Sequence, residues 1–200
     1  MDHSMKGPKN MSFPLAGRIV LALLMLTALA GCATRNVVSD GEDRNLMLRG
    51  NDPVAYFTMN RAVKGDPAIK AQHQGLTYRF VSAAHRDTFL KSPERYVPAY
   101  SGYCASGVHY GLKSNIGADT FKIVDGRLFL FGGERSKKHW ELHEKENIAL
   151  ADKVWAEETH DALARLQNWK RYVFRVPHYK TNAELEAEYQ KRYGRPSVGG

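Results

Sequence analysis

Cysteine is scarce in this chain: Cys32 and Cys104 are the only two. Two thiols allow at most one internal bridge, so a small scaffold stapled by several disulfides is excluded. Long apolar runs are missing as well. The longest, Ile19 to Ala30, holds 12 residues, whereas crossing the ~30 Å hydrocarbon core of a bilayer takes about 20. There is no glycine-rich phosphate loop, no nucleophile elbow and no recognisable Ser/His/Asp set, which leaves the nucleotide-hydrolase and serine-hydrolase classes without their machinery. Internal repeats and low-complexity tracts are not evident. Glycine and proline are absent from Glu134 to Val176, so that stretch lacks the usual punctuation and predicts helix.

What is present begins at the amino terminus. Lys6, Lys9 and Arg18 precede the short apolar run, which ends in Leu29-Ala30-Gly31-Cys32. A basic segment, an apolar segment and small residues before the cut form a secretory signal. A cysteine directly after the small residues reads as a lipobox. The expected outcome is cleavage before Cys32 and lipid on that residue, with the domain outside the cytoplasm. An ordinary signal peptide or an uncleaved anchor is the plainer alternative, and the 12-residue run is short for an anchor. Ala33, rather than Asp, follows Cys32; by resemblance to Gram-negative lipoproteins this implies the periplasmic side of the outer membrane. The organisation expected is a signal peptide over 1–31, a flexible tether over 32–45, a domain over 46–156 and a helical extension over 157–200. Loss of Lys6, Lys9, Arg18 and Asp2 with the signal lowers the net charge from +8 to +6. An exported protein meets little nucleic acid, so no nucleic-acid partner is expected; a solvated basic surface or anionic headgroups fit better.

The domain reads as α+β: a small antiparallel sheet over 54–131, one short helix on it at 82–91, and helices in the last third. Val54–Phe57 and Ala62-Val63, around a polar turn, predict a hairpin. Leu76 to Val81 alternates as a strand, and Ser82 is placed to cap a helix that Ser92-Pro93 ends. Asp125-Gly126 between two alternating runs is the strongest turn signal, because a type I′ turn needs positive φ at both central residues. Helical spacing of Trp140, Ile148, Ala151, Trp155, Leu163, Leu166 and Trp169 predicts one long helix or two shorter ones. Asn182 is the expected cap of a last helix ending at Gly194.

Gly50-Asn51-Asp52-Pro53-Val54-Ala55-Tyr56-Phe57, Tyr78-Arg79-Phe80-Val81-Ser82, Tyr103-Cys104-Ala105, Phe121 to Leu130, Asn147-Ile148, Ala151-Asp152 and Trp155 follow one another in order. Over residues 46–156 the chain resembles the YHS-domain family, in the form found in exported bacterial proteins. The resemblance implies a small metal-binding module similar to those of copper-handling proteins. Its metal-binding members carry cysteines where this chain has Ala55 and Val81, and another where it has His85. The inherited thiolate site is therefore depleted. His85, Cys104 and His109 are left as candidate ligands for copper or zinc, since thiolate and imidazole suit both ions.

Each candidate has a plainer alternative. Cys104 fits equally a buried small hydrophobe, or a thiol with a redox role. His139 and His143, four apart, could share an ion on one helix face, yet the glutamate order is not that of a metalloprotease and a solvated face is the safer reading. Asp52 suits backbone capping. Asn168 to Arg175 mixes aromatic and basic residues, as a membrane interface would, with packing onto the domain as the alternative. Three functions remain open at this point: a non-enzymatic lipid-anchored module that binds copper or zinc weakly, a metal-free module that holds an envelope protein partner, or a thiol redox protein.

Overall fold

The computed structural model describes residues 34–198, all within the unit that begins at Cys32; residues 1–31, expected to be a signal peptide, and Cys32 itself lie outside the described residues. The fold is α+β. Strands β1 (Val38–Asp40), β2 (Asp43–Leu46), β3 (Asp66–His73) and β4 (Leu76–Phe80) form a sheet in the order β1-β2-β4-β3, and β5 (Gly117–Val124) pairs with β6 (Arg127–Phe131) in a second. The first sheet is mixed rather than wholly antiparallel, because Leu46 of β2 pairs in parallel with Thr77 of β4.

Two of its strands come from residues expected to be tether. The acids of that polar stretch have partners: Asp43 accepts from Lys70 Nζ and Arg79 Nε, both at 2.8 Å, and Asp40 from Arg79 Nη1 at 2.6 Å. Arg79 and Asp43 are almost wholly buried, and charges taken out of water must be paired, so this network ties β1 and β2 to β4. The hydrogen bonds from Lys70 first, and Arg79 second, hold the Asp43 carboxyl below its usual range.

Residues 54–57 form a helix, not the expected hairpin strand. Helix α1 (Pro53–Thr58) starts where Asp52 Oδ1 accepts from the amides of Val54 (2.8 Å) and Ala55 (3.2 Å), with Pro53 at the first helical position. Cap and proline are both helix-start signals, and a short continuous apolar run does not distinguish helix from strand. Ser82 caps α2 (Ala83–Lys91) as expected, accepting from His85 N at 3.2 Å. Asp125 (φ 49°) and Gly126 (φ 74°) make the expected tight turn.

Short helices α3 (Pro93–Tyr96) and α4 (Ala105–Val108) follow in the chain before β5. The carboxyl-terminal third is broken into α5 (Glu134–Glu141), α6 (Glu144–Val154), a π-helical turn (Trp155–Thr159), α7 (Ala164–Val173) and α8 (Asn182–Tyr193). Thr181, rather than Asn182, caps α8 in a reciprocal box with Glu184, and Gly194 (φ 67°) ends it.

The structure contains a duplication that residue identities conceal. In the β3–β4 hairpin Asp66, Lys70, Ala71, Gln72 and His73 face Phe80, Arg79, Tyr78, Thr77 and Leu76, with an irregularity between Asp66 and Lys70. Adding 51 to every number gives the β5–β6 register, Gly117↔Phe131 through Val124↔Arg127, with the irregularity in the same place. The preceding turns also match. Leu48, Arg49 and Gly50 have φ of 54°, 52° and 77°; Tyr100, Ser101 and Gly102 have 54°, 50° and 78°. Phe89 of α2 and Trp140 of α5 occupy equivalent positions and are both fully buried in one core shared by the two halves. Left-handed φ at non-glycine residues is costly, so its recurrence in both copies marks a shared architecture and not a local accident.

Candidate functional site

The duplication places Asp52 and Cys104 at equivalent positions, each just before a short helix. Asp52 is fully buried. Besides the two cap bonds, its Oδ2 accepts from Val81 N at 2.9 Å and from His85 Nδ1 at 2.7 Å. The carboxylate is an acceptor, so the imidazole proton sits on Nδ1. His85 is thereby held against Asp52, between the end of β4 and α2.

Cys104 meets the corresponding amides. Its Sγ accepts from Gly132 N at 3.2 Å, at the end of β6, and the amides of Ser106 and Gly107 also favour its charged form. These amides match Val81, Val54 and Ala55 around Asp52. Burial outweighs them and raises the thiol above its ordinary range, so at neutral pH Cys104 is a protonated thiol. A buried thiol is a poor nucleophile and a poor ligand until its proton leaves.

His109 follows α4 and is buried. Burial lowers its imidazole to about 4, so it is neutral at physiological pH. Its Nδ1 lies 3.4 Å from Ala105 O, and His178 Nε2 donates to His109 O at 2.8 Å. With Tyr110, His139, His143 and Lys180, these two histidines line a cleft of about 120 Å³. His178, which received no role from sequence, is brought there by the chain between α7 and α8.

The three candidate ligands therefore occupy three settings: His85 on Asp52, Cys104 under the Gly132 amide, and His109 in the cleft. Among the described residues no group of three or more His, Cys, Asp or Glu side chains is placed to hold a metal ion. His139 and His143 do not share one helix face either, because α5 ends between them. Each takes its own carboxylate from α8: His139 Nε2 lies 2.9 Å from Glu186, and His143 Nε2 lies 2.5 Å from Glu188. Nor is the segment a solvated face throughout, since His139 is buried.

Helix α7 is turned inside out. Its polar side chains face the domain: Gln167 Nε2 donates to Gly111 O at 3.0 Å, and Asn168 accepts from Lys113 N at 2.7 Å while donating to Lys113 O at 3.1 Å. Arg171 packs on Gly111, where a Cβ would come within 2.5 Å of its Nε. The apolar side chains face outward, with Leu166, Trp169, Tyr172, Val173 and Phe174 between 53% and 72% exposed. Helical spacing finds this helix, but the aromatics do not pack onto the domain. The signal for the inversion is that Gln167, Asn168 and Arg171 share a face on which bonding to a backbone is available.

Comparison with family models, with curated proteins and with solved structures found no match to this chain.

Proposed function

We propose that this protein is a lipid-anchored, non-enzymatic interaction module of the cell envelope, related to the YHS-domain family and facing the periplasm from the outer membrane. The observation that supports this reading is the exposed apolar face of α7, which a protein working alone in water has no reason to keep. The polar inner face of the same helix is firmly hydrogen-bonded, so the outward aromatics are held in place rather than frayed. A copper or zinc function has less support, since Cys104, His85 and His109 are engaged separately.

The test is metal titration. Reduced wild type, Cys104→Ala and His85→Ala are each titrated with copper(I) and zinc against a chromophoric chelator. The proposal expects no stoichiometric site, and the same weak binding in all three. One tight equivalent in wild type that is lost in both variants would overturn it and restore the metal reading.

A further inference from the structure

The partner of the α7 face can be named by its chemistry. Residues 163–180 carry Arg165, Lys170, Arg171, Arg175 and Lys180, and no Asp or Glu. Glu158 takes Lys170 and Arg171, and Glu188 takes Lys180, which leaves positive charge in surplus around the apolar stripe. Asp161, paired with His160, lies at the amino-terminal end of the helix, and Glu184 lies within electrostatic reach of Arg175 at the other end. Leu166, Asn168, Trp169, Tyr172 and Arg165 together line a shallow groove. An exposed helix with aromatic and aliphatic residues on its outer face and Lys or Arg at its flanks has the composition of one lying in the boundary between headgroups and acyl chains. Trp and Tyr suit that boundary because each joins an apolar ring to a polar atom.

The position of Thr34 supplies the second, independent argument. Lys113 Nζ donates to Thr34 O at 3.2 Å, and to His160 O and Ala162 O at 3.1 and 2.7 Å. The first described residue is thus clamped beside the loop that leads into α7. Cys32 lies two residues before Thr34, and two extended residues reach no more than about 7 Å. A lipid on Cys32 would therefore tether the domain by the end at which the loop of His160 and Ala162 leads into α7.

We infer that α7 docks on the anionic phospholipid surface of the leaflet that holds the Cys32 lipid, with Trp169 and Tyr172 at the acyl boundary and Arg165 and Arg175 on phosphates. The inference rests on the lipid-anchor reading above. It gives the module two membrane contacts and a fixed orientation: the α7 face lies against the bilayer, and the remainder of the domain is left to face the periplasm.

The experiment reconstitutes the full lipidated chain into vesicles of phosphatidylethanolamine and phosphatidylglycerol whose acyl chains carry bromine, which quenches tryptophan on contact. Flotation of the protein with the vesicles reports the anchor. The difference in quenching between wild type and Trp169→Phe reports α7 alone, since Trp140 is buried and Trp155 is common to both. The expected result is flotation of both proteins, with loss of the Trp169 emission in the brominated vesicles. The loss should be smaller in phosphatidylcholine and in Arg165→Glu. A protein that floats while Trp169 stays unquenched would overturn the docking but keep the anchor, and would hand the face to a protein partner or a second copy. A protein that does not float would overturn the anchor and the docking together.

Discussion

Replacing Lys113 by Met should loosen the seam between Thr34 and the loop before α7, and the size of the effect follows from opposed contributions. Lys113 is 3% exposed. Its ammonium donates to three carbonyls and lies 5.2 Å and 5.1 Å from the ring centres of Tyr103 and Trp155. Methionine keeps the length of the stem and loses the charge. At about 1.5 kcal/mol for each bond to a charged group and about 0.5 kcal/mol for each ring contact, the gross loss is on the order of 5 kcal/mol. Against it stands the cost of burying the ammonium. Burial lowers its pKa from 10.5 to about 8, a cost of at most about 3 kcal/mol, smaller where water screens the site. The net destabilisation expected is about 2 kcal/mol. The pH dependence has a definite sign. Between about 8 and 10.5 the unfolded lysine keeps a proton that the folded one has released, so wild-type stability rises with pH relative to the Met variant. Urea denaturation of both proteins at pH 7, 8, 9 and 10 measures this. A gap that shrinks or stays flat across that window, or a variant as stable as wild type at pH 7, would mean that the Lys113 ammonium does not hold this seam.

Two glycine substitutions separate conformational strain from collision. A Cβ at Gly126 meets nothing within 4 Å but sits at φ 74°, so Gly126→Val should cost roughly 1 kcal/mol or somewhat more through strain alone. A Cβ at Gly65 would lie 2.4 Å from the backbone of Arg79, so Gly65→Ala should cost more than Gly126→Val, by about 1 kcal/mol or more; equal denaturation midpoints would show that the β3–β4 seam yields. The docking of α8 should weaken in acid. The Ser197 hydroxyl and amide, followed by His139, lower Glu186 to about 2 from 4.5, and this stabilisation, full above about 4.5, is lost as pH falls toward 2. Protection of the 182–193 amides, taken relative to their intrinsic exchange rate at each pH, should fall in that range before that of the β4 amides does, and simultaneous loss in both would contradict the assignment.

The legible parts of the fold were those fixed by local chemistry. The Asp125-Gly126 turn, the Ser82 cap and the Gly194 stop depend on the conformational needs of single residues, and all three are where sequence puts them. Helix α1 was misread because Val54 to Phe57 suits either element, although Asp52-Pro53 already carried the start signal. Strands β1 and β2 were missed because they are held by a distant partner, Arg79, and not by an apolar pattern. The duplication was hidden because backbone geometry is shared where side chains are not: Asp52 corresponds to Cys104, and Phe89 to Trp140. At the candidate site, the ligand types were visible but their separation was not. Cys104 and His109 are close in sequence, yet one points to Gly132 and the other lines the histidine cleft. The α7 aromatics were found by periodicity, but which face turns outward depends on the carbonyls of Gly111 and Lys113, some 55 residues away.

The proposed lipid on Cys32 decides both where the domain sits and what α7 can reach. Cells expressing the full chain are fed labelled palmitate, with Cys32→Ser and Cys104→Ala alongside. Label is expected in wild type and in Cys104→Ala, and none in Cys32→Ser. Equal label in Cys32→Ser, or none in wild type, would contradict lipidation at Cys32.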